Sequence, residues 1–150
     1  MAQFDVKRVN PLEWTGVVAG VVALAVVHAP WFVPNGWGLS AARRHGFDPA
    51  PTGWDIGFLA RTGVLLLAVG AVVVLLPHLG VQVPWRRVIW ISGAVLAALL
   101  IPISRNSFVT AMQEYGYTPD VSIWFHVAVG ASWLSTMAAA LNARLAPKPV

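Results

Sequence analysis

An all-α integral membrane fold, four helices crossing a bilayer as one bundle, is what this sequence predicts. Three observations carry the expectation. Four long runs are nearly free of charge, near residues 12–29, 54–77, 85–104 and 120–142, and a helix of ~20 apolar residues matches the hydrocarbon core of a bilayer. Only 11% of the 150 residues are charged and 57% are hydrophobic, whereas a soluble domain carries about a quarter charged residues. The basic residues gather as short pairs at the ends of the runs, Lys7-Arg8, Arg43-Arg44 and Arg86-Arg87, which is a topology pattern. The whole chain is used by one such domain.

Residues 1–9 read as a short, polar, loosely ordered leader into the first span. Asn10-Pro11-Leu12-Glu13 opens it: Asn10 caps, Pro11 suits the first helical position, and Glu13 reaches back as the acid of a capping box. Glu13 also stands where a cleaved signal would be basic, and Pro30 follows the one small residue suited to cleavage, so this is read as a retained helix. Gly16, Gly20, Ala23 and Val27 form a small-residue stripe of the kind that lets membrane helices approach closely. Residues 30–53 hold four prolines and several aromatics. They predict an ordered cap at the membrane surface with tryptophans at headgroup level, including one or two helical turns from Ser40 to His45 stopped by Gly46.

The second span runs from Trp54, with Asp55 favouring the positive end of the helix dipole, to Pro77-His78-Leu79-Gly80. The third runs from Trp85 to Ser104, where Pro102 bends or ends it. Phe108, Ala111, Met112 and Tyr115 then recur at helical spacing. They predict a separate interfacial amphipathic helix, capped by Ser107 and stopped by Gly116, with Phe108 and Met112 facing the membrane. Thr118-Pro119-Asp120 begins the fourth span. The tail carries Arg144 and Lys148.

Four spans put both termini on one side. That side holds Lys7, Arg8, Arg86, Arg87, Arg144 and Lys148 against Asp5 and Glu13, while the other side holds Arg43, Arg44 and Arg105, with Arg61 just inside the second span, against Asp48, Asp55, Glu114 and Asp120. The excess of Lys and Arg places both termini in the cytoplasm. The net charge of +4 is spread over span ends instead of a single basic face, so no nucleic-acid partner is expected. The sequence has no cysteine, which excludes disulfides, iron–sulfur clusters, thiolate zinc sites and thiol redox chemistry.

Arg61 is the charge set deepest in a span, six residues or ~9 Å of rise beyond Asp55. An arginine at a bilayer centre costs roughly 2.5–3.5 kcal/mol on insertion scales, and less near the interface. Residues one turn away, Gly57, Phe58, Val64 and Leu65, offer it nothing. It is expected to reach outward to Asp120, Glu114 or a lipid phosphate, or to contact an anion or substrate within the bundle. His28 and His126 sit near the outer ends of spans 1 and 4. His126 shares a stripe with Gly130, Trp133 and Met137 that is expected to face protein. Two histidines at one depth are what a haem b would use, although a histidine near a helix end more often serves as a hydrogen-bonded packing residue. His78 lies on the opposite side alone, and His45 beside Arg43 and Arg44 is expected to be solvated. No catalytic signature is present, and no inverted repeat marks a transporter.

Asn10-Pro11-Leu12-Glu13-Trp14-Thr15-Gly16, Ala29-Pro30-Trp31-Phe32 and Gly53-Trp54-Asp55-Ile56-Gly57 together resemble small four-span membrane proteins of actinobacteria. The resemblance covers spans 1 and 2, about half the chain. It implies a bacterial cytoplasmic (inner) membrane and carries no reaction or site residue. The plan also resembles that of claudin-type proteins in its four spans and larger first outer loop, without their paired loop cysteines, and is an analogy of architecture alone. The functional expectation is a non-enzymatic accessory or scaffolding subunit that packs with other membrane proteins or with itself. The alternatives are a b-type haem or quinone-linked subunit using His28 and His126, and a lipid- or small-solute-binding protein centred on Arg61.

Overall fold

Asn10, Pro11 and Glu13 start the first helix as their side chains dictate. In the computed structural model, which describes residues 9–145, α1 covers Pro11–Val26, and both halves of the capping box form. Asn10 Oδ1 accepts from the Leu12 N–H at 3.0 Å, and Glu13 Oε2 accepts from the Asn10 N–H at 3.2 Å. The expected leader, residues 1–8, lies outside the described residues, as does Lys148. α1 ends at Val26 rather than near residue 29. The Val26 carbonyl there accepts from the Ala29 N–H at 3.1 Å and the Trp31 indole N–H at 2.8 Å, which turns the chain away.

Two short strands follow from that turn. β1, Phe32–Val33, pairs antiparallel with β2, Asp120–Val121, opposing Phe32 to Val121 and Val33 to Asp120. The ribbon joins the loop after α1 to the loop before the last helix. α2, Gly36–His45, is longer than the turn or two expected from Ser40. Asn35 caps it through the Gly38 N–H at 3.0 Å, and Gly46 ends it with a left-handed φ of 71°.

α3, Phe58–Leu75, begins four residues later than the expected Trp54. Asp55 does not sit in its first turn. The Asp55 carboxylate instead accepts from the Thr52 N–H and hydroxyl, while the Asp55 and Ile56 N–H groups donate to the Thr52 carbonyl. Gly57 then leaves this turn at φ 133°, a conformation that disfavours a side chain. A 3₁₀ turn, Leu76–Leu79, closes α3 and is ended by Gly80.

α4 is one continuous helix, Arg86–Gln113, with Pro102 inside it. This corrects both the expected end at Ser104 and the separate interfacial helix. A proline in a helix interior costs ~3 kcal/mol through a lost hydrogen bond and a ring clash. Here the helix continues because Phe108 and Met112 have somewhere to pack. Phe108 meets Phe32 with ring centroids 4.6 Å apart, and Met112 is buried, so these residues face the loops of the protein and not a membrane surface. α5, Ile123–Leu145, starts three residues beyond the expected Asp120, with the Ser122 hydroxyl accepting from the Trp124 N–H at 3.2 Å.

α1 and α4 each pack against both α3 and α5, so the four long helices close into a ring. Residues 10–14, the 3₁₀ turn, the start of α4 and the end of α5 gather at one end, called here the terminal end. The strands and α2 gather at the other, the loop end. One core cluster, with Ala23, Val27, Val64, Leu67, Ala97 and Phe125, lies toward the loop end. A second, with Val17, Val74, Trp90 and Ala139, lies toward the terminal end. The small-residue stripe of α1 is used inside this ring. A Cβ on Gly20 would fall 2.8 Å from the Ala71 Cβ and 2.9 Å from the Leu67 carbonyl oxygen, and one on Gly16 would strike the Trp90 indole.

Three helices are long and apolar enough to cross a membrane: α3 with its 3₁₀ turn, α4 and α5. α1, at 16 residues, falls short of the expected fourth span by length, although it is equally apolar. The outward faces are aliphatic and aromatic, with Val18, Val21, Val69, Val72, Leu99 and Trp133 all exposed. Several hydroxyls within the helices donate to carbonyls one turn back, as where Ser132 donates to Val129 O at 2.7 Å and Ser92 to Val88 O at 2.7 Å.

Candidate functional site

The loop end is built as a platform. Trp31 is fully buried and its backbone is paired on both sides: its N–H donates to Pro51 O at 3.0 Å, and its carbonyl accepts from the Ser122 N–H at 3.0 Å. Its ring lies against Gly53, where any Cβ would collide with it, and meets Phe125 edge-on at 5.6 Å. Pro30 bridges to Thr52, Ser122 Oγ donates to Pro30 O, and Asn35 Nδ2 donates to Thr118 O at 3.0 Å. The bridge closes the first loop on itself, and the bonds of Ser122 and Thr118 join that loop to the second.

Ala42 anchors α2 from below. Above it Arg43, Arg44, His45 and Tyr115 are exposed. Tyr115 packs against His45 at 5.4 Å and Phe47 at 4.9 Å, an aromatic cluster at the end of the helix turn that carries the exposed Arg43 and Arg44. Tyr117 lies beneath, 5% exposed, with its ring where a Gly38 side chain would be and its hydroxyl without a partner among the described residues. Burial first, and then the charge of Asp120, push the Tyr117 phenol above its ordinary value.

Arg61 does not meet Asp120 or Glu114. Among the described residues the ion pairs join Glu13 to His78 and Arg86, and none involves Arg61. Instead Arg61 Nε donates to the Trp54 carbonyl, and the guanidinium lies over the Trp54 indole, 5.4 Å from its centroid. The same indole stacks on His28 at 6.0 Å and 28°. Asp120 is taken into β2, and Glu114 is exposed beyond the end of α4.

His126 is exposed, as are Gly130, Trp133 and Met137, so the stripe expected to face protein faces outward. A helix this closely packed turns inward the positions that fit its neighbours, here Phe125, Ala128 and Ser132. His126 Nδ1 donates to Ser122 O at 3.0 Å, which leaves Nε2 free. His28 is engaged with Trp54. Among the described residues no three His, Asp or Glu side chains converge as metal ligands.

The terminal end holds a polar cluster around the buried Glu13. Glu13, 6% exposed, places Oε2 3.0 Å from His78 Nε2 and Oε1 3.6 Å from Arg86 Nη1. One carboxylate thereby ties α1, the 3₁₀ turn and α4, and Asn10 Nδ2 adds α5 by donating to Asn142 Oδ1 at 3.4 Å. Trp90 lies beneath, its indole N–H donating to Ser135 Oγ at 3.2 Å. Sequence reasoning gave Glu13 a capping role alone. The readable signal was an acid at one end of the first span, at the same level as a histidine and an arginine flanking the short turn between the second and third.

Between α1 and α5 runs an apolar groove of about 450 Å³, walled by Trp14, Val18, Val22, Gly130, Ala131 and Leu134 and open to the outward face. No family model, curated protein or solved structure matches the chain.

Proposed function

We propose that this protein is a non-enzymatic membrane subunit, an accessory or scaffolding element that crosses the bilayer four times and presents its loop-end platform to a partner. α1 serves as the fourth span. It is short, ~24 Å at 1.5 Å per residue, yet it packs along α3 and α5 and exposes Val18, Val21 and Leu24 outward. The Lys and Arg distribution supports termini in the cytoplasm and a platform outside, and the residues around Asn10, Pro30 and Trp54 support a bacterial inner membrane.

The observation that carries the reading is the fusion of both loops into one preformed surface. Loops that only connected spans would need no shared ribbon, no buried tryptophan and no capped α2. A preformed surface binds with less ordering cost than a loose one. Its exposed face combines Arg43, Arg44 and Tyr115, residue types favoured at binding hot spots. Their charge fits a second membrane protein with an acidic surface outside the membrane.

The test places a photo-crosslinking residue at Tyr115 and, separately, at the outward-facing Val69, in native membranes. One adduct of fixed mass from Tyr115, absent from Val69 and abolished by R43E with R44E, supports the reading. If Tyr115 gives no adduct, or one that survives the double charge reversal, the platform is not a docking face. An adduct with the mass of two copies of this chain makes the partner a second copy.

A further inference from the structure

We infer that the cluster of Arg61, Trp54 and His28 is a seat for the phosphodiester of a phospholipid in the leaflet at the loop end. It lies on the side of α3, apart from the platform, and does not depend on what the platform binds. Arg61 stands in a stripe with Phe58 three residues before it and Leu65 four residues after it, both exposed, at 77% and 46%. These positions share one face of the helix, so the guanidinium emerges among apolar side chains on the outward surface, one turn inside the start of α3. An unpaired cation at that depth is costly, and long basic side chains there turn toward the headgroups.

Protein contacts orient this arginine without neutralising it. Nε is held by the Trp54 carbonyl and the guanidinium by the Trp54 ring. Its two terminal nitrogens donate to no described group. Asp55, the nearest acid in sequence, is occupied by Thr52. The remaining fork of donors suits two oxygens of a phosphate. Trp54, 37% exposed, and His28 extend an amphipathic surface beside it at the level where α3 begins, the position that tryptophan favours at a membrane–water boundary. A ligand matching this surface carries a phosphate at headgroup level and apolar chains beside Phe58 and Leu65.

The experiment uses the full chain in mild detergent, titrated separately with a phosphatidylglycerol, a diacylglycerol of the same chains and inorganic phosphate, with bound molecules counted by native mass spectrometry. One phosphatidylglycerol is expected to bind most tightly, and R61Q is expected to weaken it at least tenfold. W54F keeps the carbonyl but reduces the ring surface, and is expected to weaken it about threefold. R144Q, at the other end of the ring, is expected to leave it unchanged. Equal binding by wild type and by both R61Q and W54F overturns the inference, as does equal binding of the diacylglycerol. Displacement of the lipid by inorganic phosphate alone reassigns the seat to a free oxyanion and overturns the lipid assignment.

Discussion

Removing the Glu13 carboxylate is the most informative perturbation of the fold. Glu13 is buried, and three contacts vanish in Glu13→Ala. The capping-box bond to the Asn10 N–H is worth about 1 kcal/mol. The bond to His78 at 3.0 Å is made by a charged acceptor in a buried place, worth about 1.5–3 kcal/mol. Arg86 adds little: its side chain is one-third exposed and 3.6 Å away, so it is treated as a surface pair worth about 0–1 kcal/mol. E13A is therefore expected to destabilise by about 3 kcal/mol, a fall of roughly 6–12 °C in Tm for a chain of this size. Glu13→Gln keeps an acceptor for Asn10 and an uncharged bond to His78, and is expected to lose about 1–1.5 kcal/mol. Thermal melts in detergent, with a double-mutant cycle of E13A and H78A, measure both. The coupling between the two sites is expected at about 1–2 kcal/mol. A loss under about 0.5 kcal/mol in E13A, or additive single mutants, would show that the cluster does not tie the helices.

Four further outcomes are expected. Gly20→Val forces α1 away from Leu67 and Ala71 and should destabilise by about 2–3 kcal/mol. Gly130→Ala meets open space in the groove and should be neutral or stabilising by up to ~1 kcal/mol in the same melts. Trp31→Phe deletes the indole bond to Val26 and should lower stability by about 2 kcal/mol, with faster proteolysis of the loop end. Tyr117→Phe removes a buried hydroxyl that has no partner and should raise stability by up to about 1 kcal/mol. Because the folded phenol titrates above the ordinary 10.0, wild type holds its proton longer when folded than when unfolded. The stability of the wild type is then constant below pH 10 and falls as pH rises through the folded value, a decline that Y117F should lack.

What could be read in advance followed the range of each interaction. The Asn10–Glu13 box spans three residues and forms as its residue types demand. The long apolar runs gave α3, α4 and α5 as elements that can lie in a membrane, because length and hydropathy are properties of a segment alone. Boundaries failed where a partner far along the chain decided them. Pro102 argued for a break, yet Phe32, seventy-six residues before Phe108, gives the end of α4 a surface to follow. Asp55 looked like a helix-start residue, but Thr52 claims its carboxylate. β1 and β2 are two residues each, too short for any alternation to show. Arg61 is expected to reach Asp120, Glu114 or a phosphate, but the protein groups it meets are a carbonyl and a ring seven residues back, beyond a non-helical turn. Glu13 had a complete local explanation, which concealed its contact with His78, sixty-five residues away.

The ring of helices is fastened at both ends, and this limits how it can move. Any swing of α1 away from its neighbours must open one mouth. At the loop end that strips the Phe32–Val33 ribbon from Asp120–Val121 and pulls Ser122 off Trp31. At the terminal end it leaves a carboxylate stranded without its imidazole. With no side free to swing, the bundle holds its loop-end cap in one fixed position relative to the four helices.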